Sequence, residues 1–170
     1  MDGIRIMNES GDDPFARYQP GRAIGTSRWL DITQDMVDRF SDVTLDPDPM
    51  HIDKAWAESN GPFGGTIAFG FLTVSMLTYF LHDAMGTSSR RDEGESGFYL
   101  NYGFDRLRLV APVPTGSRLR GVFTLVDRRT DGKERHISNL GVVLEIEGGS
   151  RPALIADWLV MWVSDRGDAG

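Results

Sequence analysis

The sequence of 170 residues contains no cysteine. Disulfide bonds, zinc–thiolate sites and cysteine nucleophiles are therefore excluded, and the composition suits a reducing compartment, so we expect a cytoplasmic protein. The sequence also lacks a basic block. Because 25 acidic residues stand against 18 basic ones, for a net charge of -7, we expect no nucleic-acid partner.

Long hydrophobic runs are scarce as well. The stretch Ile67–Leu81 is shorter than the roughly 20 residues that a membrane helix needs, and Gly70, Thr73 and Ser75 interrupt it. The N-terminal run MDGIRIMNESGDDPF has no apolar core of the kind found in signal peptides. We therefore expect no membrane association. The length and the 40% hydrophobic composition fit one compact domain.

The chain divides into a short lead-in and one domain. Residues 1–20 are rich in Gly, Asp and Pro and show little periodicity, which predicts a loosely ordered segment. We place the domain at 21–165, beginning with a short strand over 22–32. Thr33 is a plausible N-cap for an amphipathic helix that ends near residue 44, and a second short helix is expected near 53–59.

A helix followed by strands makes up the rest of the domain. The run TIAFGFLTVSMLTYFLHDAM predicts one helix of about 20 residues that is buried on all faces and stops at Gly86. After it, alternating apolar residues and turn signals predict four strands, near 97–110, 117–129, 134–147 and 153–163. The last strand is apolar on both faces, as expected for a central strand. The class is therefore α+β, with an antiparallel sheet wrapped around the helix.

One loop carries the residues best suited to acid/base chemistry. Asp46 and His51 lie five positions apart, and Pro47 and Pro49 keep the aspartates of this segment out of a regular helix. A carboxylate and an imidazole can therefore converge on one point. Two other interpretations stay open: a surface turn with an incidental histidine, or a metal site that also uses Asp48 and Asp53.

A resemblance to a known family is found in the same region. The run LDPDPMHID, followed by GPFGGTIAFGFLTVSML, resembles the signature of the MaoC-like (R)-specific enoyl-CoA hydratases, a G-D-x-N-P-x-H pattern and then an I-x-H-G segment. The later run NYGFDRLRLVAPVPTGSRLRG is similar to the strand pair that follows the family's helix. The resemblance covers residues 20–163. It implies a single-hotdog subunit that pairs into a homodimer, with the active site near the subunit interface.

The resemblance also implies roles for individual residues. Asp46 and His51 match the family's catalytic pair, and Gly70 matches the glycine whose N–H polarises the thioester carbonyl. We expect Phe69 and Ser75 to contact substrate as well. Phe69, Phe71 and Met76 either line an acyl tunnel or form plain core, and aromatic residues on buried helices usually belong to the core.

Three positions depart from the family pattern. Leu45 stands where the family prefers Gly, Asp48 where it has Asn, and Phe69 where it often has His. None of these changes removes the catalytic pair. The more apolar residue at 69 bears on the identity of the substrate rather than on the type of reaction.

The resemblance therefore predicts an (R)-specific hydratase or dehydratase of trans-2-enoyl thioesters. No cofactor is expected, since coenzyme A or an acyl carrier is part of the substrate. A non-catalytic hotdog module that binds an acyl thioester or a partner subunit is the alternative, and a thioesterase is a weaker one. Four arginines of the strands form either a phosphate rim or ordinary solvated side chains: Arg106, Arg108, Arg118 and Arg120.

Overall fold

The described part of the chain, residues 13–87, 97–131 and 135–164 of a computed structural model, forms one antiparallel sheet with helices on one face. The strand order is β1-β4-β5-β6-β3, and β2 pairs with β4 beside this path. The strands are β1 (Arg22–Thr26), β2 (Leu30–Asp31), β3 (Gly97–Leu109), β4 (Arg118–Thr130), β5 (His136–Ile146) and β6 (Leu154–Ser164).

The helices occupy the first half of the chain, which confirms the α+β class. Thr33 caps the first helix as predicted, because its Oγ1 accepts the N–H of Met36 at 3.3 Å. A 3-10 turn at Pro14–Arg17 precedes them. The helices are α1 (Gln34–Thr44), α2 (Pro49–Ile52), α3 (Lys54–Asn60), α4 (Gly70–Ser75) and α5 (Leu77–Met85).

The core lies between the concave face of the sheet and the two consecutive helices α4 and α5. Phe80 of α5 is fully buried against alternating residues of β4, including Phe123 and Leu125. Strand β6 lies between β5 and β3, and it is apolar on both faces, as predicted for a central strand. Its Trp158 belongs to the main core, whereas Met161 belongs to a second cluster on the other face. A sheet wrapped around a helix is the expected hotdog fold.

The predicted central helix is wrong in three details. It begins at Gly70 and not near residue 66, because Ala68 N–H donates to Val113 O at 2.8 Å and so draws this segment into an extended conformation. The helix is interrupted at Met76, between α4 and α5. It is also not buried on all faces. Three exposed residues, Phe71, Ser75 and Tyr79, lie four positions apart along it, and Phe71 is 70% exposed. The predicted stop at Gly86, where φ is 67°, is confirmed.

The first predicted strand is also interrupted. Strands β1 and β2 replace one strand over 22–32, because the chain leaves the sheet between them. Ser27 Oγ accepts the N–H of Gly121 at 2.9 Å, and the next residue, Arg28, turns toward Asp83. None of the described helices combines the length and the apolar character that crossing a membrane would require.

The described end of the lead-in packs against the sheet. Phe15 is fully buried, and its ring centroid lies 5.2 Å from that of Tyr99. Beside it, Arg128 Nε donates to the buried carboxylate of Asp13 at 2.8 Å. Residues 1–12 of the predicted lead-in lie outside the described residues, so the predicted boundary at residue 20 stays a prediction.

An ion pair joins the end of α5 to the turn between β1 and β2. The carboxylate of Asp83 accepts from the backbone N–H of Arg28 at 2.6 Å and from its Nε at 2.8 Å. Only 10% of the Asp83 side chain is exposed. The hydrogen bonds from Arg28 lower the pKa of the Asp83 carboxyl below its ordinary value. The pair therefore stabilises the folded chain while Asp83 is ionised.

We expect Asp83→Asn to lower the free energy of unfolding by about 1 kcal/mol near neutral pH, since charge-assisted hydrogen bonds are lost. Because the carboxyl pKa is lower in the folded than in the unfolded chain, this contribution is present above about pH 4 and is lost as the pH falls through the folded pKa. Urea unfolding over a pH series measures it. Asp35→Asn is the control, because its ion pair with Arg39 is exposed. A difference from the parent protein that stays constant below about pH 4 would contradict this account.

Candidate active site

The predicted catalytic loop contains a one-turn helix. Asp46 and Asp48 lie outside it, as predicted, but His51 lies within α2. Pro49 begins this helix with a fixed φ, and the carboxylate of Asp48 accepts the N–H of Met50 at 2.8 Å, which caps it. An Asn at position 48 can make the same cap, so this departure from the family pattern leaves the local fold unchanged.

The ring of His51 is held from two sides. Its Nδ1 lies 2.7 Å from the backbone oxygen of Ile67. A carbonyl oxygen only accepts hydrogen bonds, so Nδ1 carries a hydrogen, and in the neutral form of the ring Nε2 is the nitrogen with the lone pair. The Phe69 ring covers one face of the imidazole at a centroid distance of 3.8 Å. His51 is buried, and none of the described residues bonds to its Nε2. The geometry therefore leaves Nε2 as the ring nitrogen that is available for proton exchange with a bound molecule.

Asp46 has a fixed backbone and a free carboxylate. Its N–H donates to Ser41 O at 3.2 Å, and its own carbonyl accepts from Ser41 Oγ at 2.7 Å. The carboxylate is exposed, and it forms no hydrogen bond within the described ranges. It can therefore bind a water molecule or a substrate group at little cost to the fold. The structure shows no direct contact between Asp46 and His51.

Leu45 occupies a backbone conformation that glycine normally takes. It ends α1 in the left-handed region, with φ 57° and ψ 35°, and its side chain is 86% exposed. A left-handed conformation costs a residue with a Cβ roughly 1 kcal/mol. The family's preference for Gly at this position therefore has a backbone explanation, and Leu45 retains the same turn with some strain.

Gly70 is the first residue of α4. The preceding residue, Phe69, makes no side-chain cap, so the first N–H groups of this helix are left without partners inside it. A Cβ at Gly70 would overlap the side chain of Leu109. The close approach at Gly70 is thus one to a strand side chain, and the role of its N–H toward a thioester stays a prediction.

The other predicted substrate contacts fall in different places. Phe69 is buried in the core and packs on His51 and Phe40. Ser75 is exposed, and its Oγ donates to Phe71 O at 2.8 Å within the same helix, so the structure shows no link between it and His51. Met76 packs partly against the core, whereas Phe71 is exposed. The expectation that these aromatic residues are core is therefore confirmed for Phe69 and wrong for Phe71.

Two further residues, which no sequence motif marks, belong to the hydrogen-bond network around His51. Gln34 Nε2 donates to His51 O at 2.8 Å, and Thr66 Oγ1 donates to Gln34 Oε1 at 2.7 Å. Gln34 follows the N-cap of α1, and Thr66 directly precedes Ile67. No motif joins them, because they lie 32 positions apart.

Two of the three carboxylates next to His51 in the sequence serve as helix caps. Asp48 caps α2, and Asp53 Oδ1 accepts the N–H of Trp56 at 2.9 Å at the start of α3. Within the part of the chain that the structure describes, no group of three or more His, Asp or Glu side chains is arranged to hold a metal ion. The structure therefore does not favour a metal site made from the residues of this loop.

Most of the strand arginines considered as a phosphate rim are neutralised by neighbouring carboxylates. Arg108 differs, since its guanidinium has no carboxylate partner among the described residues. For the three paired arginines, this pattern favours ordinary surface side chains over a rim that binds phosphate. The pairs are Arg106 with Asp157 at 3.1 Å, Arg118 with Glu147, and Arg120 with Glu145 at 2.7 Å.

Known proteins resemble this chain in sequence and in fold. Nodulation protein N of Rhizobium leguminosarum bv. viciae is 40% identical over 148 residues, 87% of this chain and 89% of that protein. The 3-hydroxyacyl-thioester dehydratase Z of Mycobacterium tuberculosis is 35% identical over 144 residues, 85% of this chain and 91% of that protein. An (R)-hydratase from A. caviae involved in PHA biosynthesis shares the fold, with a TM-score of 0.65 at 21% identity, over 85% of this chain and 96% of that one.

The family match covers the site as well as the sheet. Residues 15–145 match the family described as the MaoC like domain, a range that includes the Asp46–His51 segment, the start of α4 and strands β1 to β4. Together with the fold and the identity to the curated relatives, this match shows that the chain belongs to the MaoC-like dehydratase family.

Proposed function

We propose that the protein is an (R)-specific hydratase, acting reversibly on the C2=C3 bond of trans-2-enoyl thioesters to give (R)-3-hydroxyacyl thioesters. The observation that carries the proposal is the hydrogen bond from His51 Nδ1 to Ile67 O, which leaves Nε2 as a proton acceptor. Membership of a dehydratase family supports the reaction type. The similarity to the M. tuberculosis relative, a 3-hydroxyacyl-thioester dehydratase, supports the substrate class.

In the proposed hydration, the His51 Nε2 lone pair takes a proton from water. The water oxygen then bonds to C3, and the C2=C3 electron pair moves toward the thioester oxygen. We assign the stabilisation of this enolate-like oxygen to the N–H of Gly70; the uncapped first amides of α4, at the positive end of the helix dipole, support this role. The proton taken up by His51 Nε2 is then delivered to C2, directly or through Asp46, so that both side chains return to their starting state. Asp46 orients the water or relays a proton, a role that its exposed and unpaired carboxylate can serve.

The reaction needs no electron carrier, since the elements of water are added and removed without a change of oxidation state of any protein group. We therefore propose that no cofactor is required beyond the coenzyme A or acyl carrier of the substrate. The configuration at C3 of the product is set by the face of the double bond to which His51 directs the water. The (R) product is proposed from the likeness to the MaoC-like hydratases.

The test uses crotonyl-CoA and longer trans-2-enoyl-CoAs. Hydration is followed as loss of the conjugated absorbance, and free thiol is measured in parallel. We expect the absorbance to fall without release of thiol. Thiol release would support the thioesterase alternative instead. No change in either signal with any chain length would leave the binding module as the better description.

We also propose that the protein is a homodimer. Two surfaces support this. Strand β3 is an edge strand 13 residues long, and it pairs only with β6 among the described strands. The α4–α5 stripe formed by Phe71, Ser75 and Tyr79 is exposed, although the other residues of these helices are buried or half-buried. The two exposed aromatic rings of this stripe would be shielded from water if a second copy covered it.

Light scattering is expected to give a mass of twice 18.9 kDa. Phe71→Glu places a charge on the exposed stripe and should shift the protein toward the monomer mass. Val126→Glu is the matched control, since Val126 is also an exposed apolar residue but lies on β4, which does not pair with β3. A monomeric parent protein, or an unchanged dimer in the Phe71 variant, would count against this assembly.

A further inference from the structure

Gln34 uses every hydrogen-bonding group of its side-chain amide. Its Nε2 donates one hydrogen to the backbone oxygen of His51 and the other to Asp38 Oδ1, each at 2.8 Å. Its Oε1 accepts from Thr66 Oγ1 at 2.7 Å. A primary amide has two hydrogens and one oxygen, and here both hydrogens are donated and the oxygen accepts one hydrogen bond.

The orientation of this amide is fixed by its partners. A backbone carbonyl and a carboxylate accept hydrogen bonds and cannot donate them, so the nitrogen must face His51 O and Asp38. Turning the amide over would place its oxygen against two acceptors. The hydroxyl of Thr66 can donate, and it therefore faces the amide oxygen. Gln34 thus has a single favourable arrangement.

These hydrogen bonds form a closed network around His51, the candidate base. Gln34 of α1 bonds to the backbone of His51 in α2, and it also bonds to the side chain of Thr66. The next residue, Ile67, accepts from the ring of His51 at 2.7 Å. Helix α1, helix α2 and the extended segment before α4 are therefore tied to one another at His51. That segment continues through Phe69, which lies on the imidazole, to Gly70.

We propose that Gln34 is a positioning residue, which holds His51 Nε2 at the correct place relative to the first amides of α4. The inference rests on the proposed function, because it assigns Gln34 to the geometry of that reaction. Gln34 holds the backbone of His51, whereas Ile67 holds its ring. Removing the amide takes away one of the links between α2 and the segment that ends at Gly70, and leaves those through Ile67, whose N–H donates to Met50 O at 3.4 Å and whose oxygen accepts from the His51 ring.

A displacement of His51 Nε2 affects turnover more than substrate binding. The contacts of Gln34 are to protein groups, so it gives substrate no binding energy of its own. A misplacement of about 1 Å at a reacting group can cost about a hundredfold in rate. We therefore expect Gln34→Met, which keeps the length of the side chain without its hydrogen bonds, to lower kcat by about tenfold to a hundredfold. KM should change by less than about threefold.

The experiment measures kcat and KM for the parent protein, Gln34→Met, Thr66→Val and the double variant. If the two residues act as one unit, the double variant is expected to lose little more than Gln34→Met alone. Asp35→Asn is the matched control. It changes the neighbouring residue of α1, whose exposed ion pair with Arg39 is not part of the hydrogen-bond network around His51. A kcat for Gln34→Met within about twofold of the parent value would overturn the inference.

A second readout does not depend on activity. The chain has three histidines, so the Nδ1–H proton of His51 can be assigned by NMR in protein labelled with 15N-histidine, using His51→Ala as the reference. We expect this resonance to shift or broaden in Gln34→Met, and also in Thr66→Val if the glutamine variant does not fold. An unchanged resonance in a folded variant would overturn the inference. If the parent protein hydrates no enoyl thioester, the proposed function fails, and the resonance still tests the positioning of His51.

Discussion

The His51→Ala variant is expected to lose hydration activity by about a thousandfold or more, because general base catalysis contributes typically 10²- to 10⁴-fold and no other described imidazole lies at this site. The loss should appear in kcat. Steady-state kinetics with crotonyl-CoA measures it. The control is His136→Ala in β5, where the imidazole Nδ1 lies 3.1 Å from Thr130 Oγ1, and it should keep parental activity.

Because His51 is buried, we expect the alanine variant to lose stability as well as activity. The sequence alone placed this residue in a loop, which predicts no effect on the fold, but the ring is buried under Phe69 and bonded to Ile67 O. His51→Ala leaves that carbonyl without its partner, at a cost of about 1–3 kcal/mol. His51→Gln separates the two effects, because its amide can donate to Ile67 O but is no base. If a folded Gln variant retained more than a small fraction of activity, the assigned role would be wrong.

Asp46→Asn is expected to lower kcat by about a hundredfold or more, while the melting temperature stays close to the parental value. The carboxylate is exposed and bonds to none of the described residues, whereas Ser41 holds the backbone of Asp46 and not its side chain. Removing the charge therefore costs the fold little. Proton transfer or water orientation is lost because an amide cannot take up a proton near neutral pH.

The matched control for Asp46 is Asp42→Asn, which removes an exposed carboxylate four positions earlier on α1. It should change neither kcat nor KM. Equal effects of the two substitutions would mean that the charge of the region, and not the Asp46 carboxylate itself, affects the rate. Full activity in the Asp46 variant would remove it from the mechanism and leave His51 to act with water alone.

Local rules in the sequence predicted most of the fold. Alternating apolar residues predicted the bounds of β4 and β5 to within two residues. Thr33 and Gly86 marked helix ends through their capping chemistry. The interruption at Met76 and the exposed Phe71 were not predictable in the same way. Apolar residues on every face of a segment show that burial is favourable, but they do not say whether the same chain or a second copy provides it.

The candidate site was predicted in part, for a related reason. Asp46 and His51 were found because prolines and a five-residue spacing give a signal within one short segment. The supports of His51 come from elsewhere: Gln34 lies 17 positions before it and Ile67 16 positions after it. Contacts of this kind depend on how the helices pack, and no local pattern encodes them. Phe69 was recognised as a departure from the family, but its contact with the imidazole ring emerged only from the fold.

The central claim is that this chain adds water to C3 of an enoyl thioester. Incubating the protein with crotonyl-CoA in H2 18O and analysing the products by mass spectrometry tests it most directly. Our account predicts one 18O atom in the hydroxyl of intact (R)-3-hydroxybutyryl-CoA, and no such product with His51→Gln. Label in the carboxylate of free crotonate, or crotonyl-CoA as the only acyl species recovered, would contradict it.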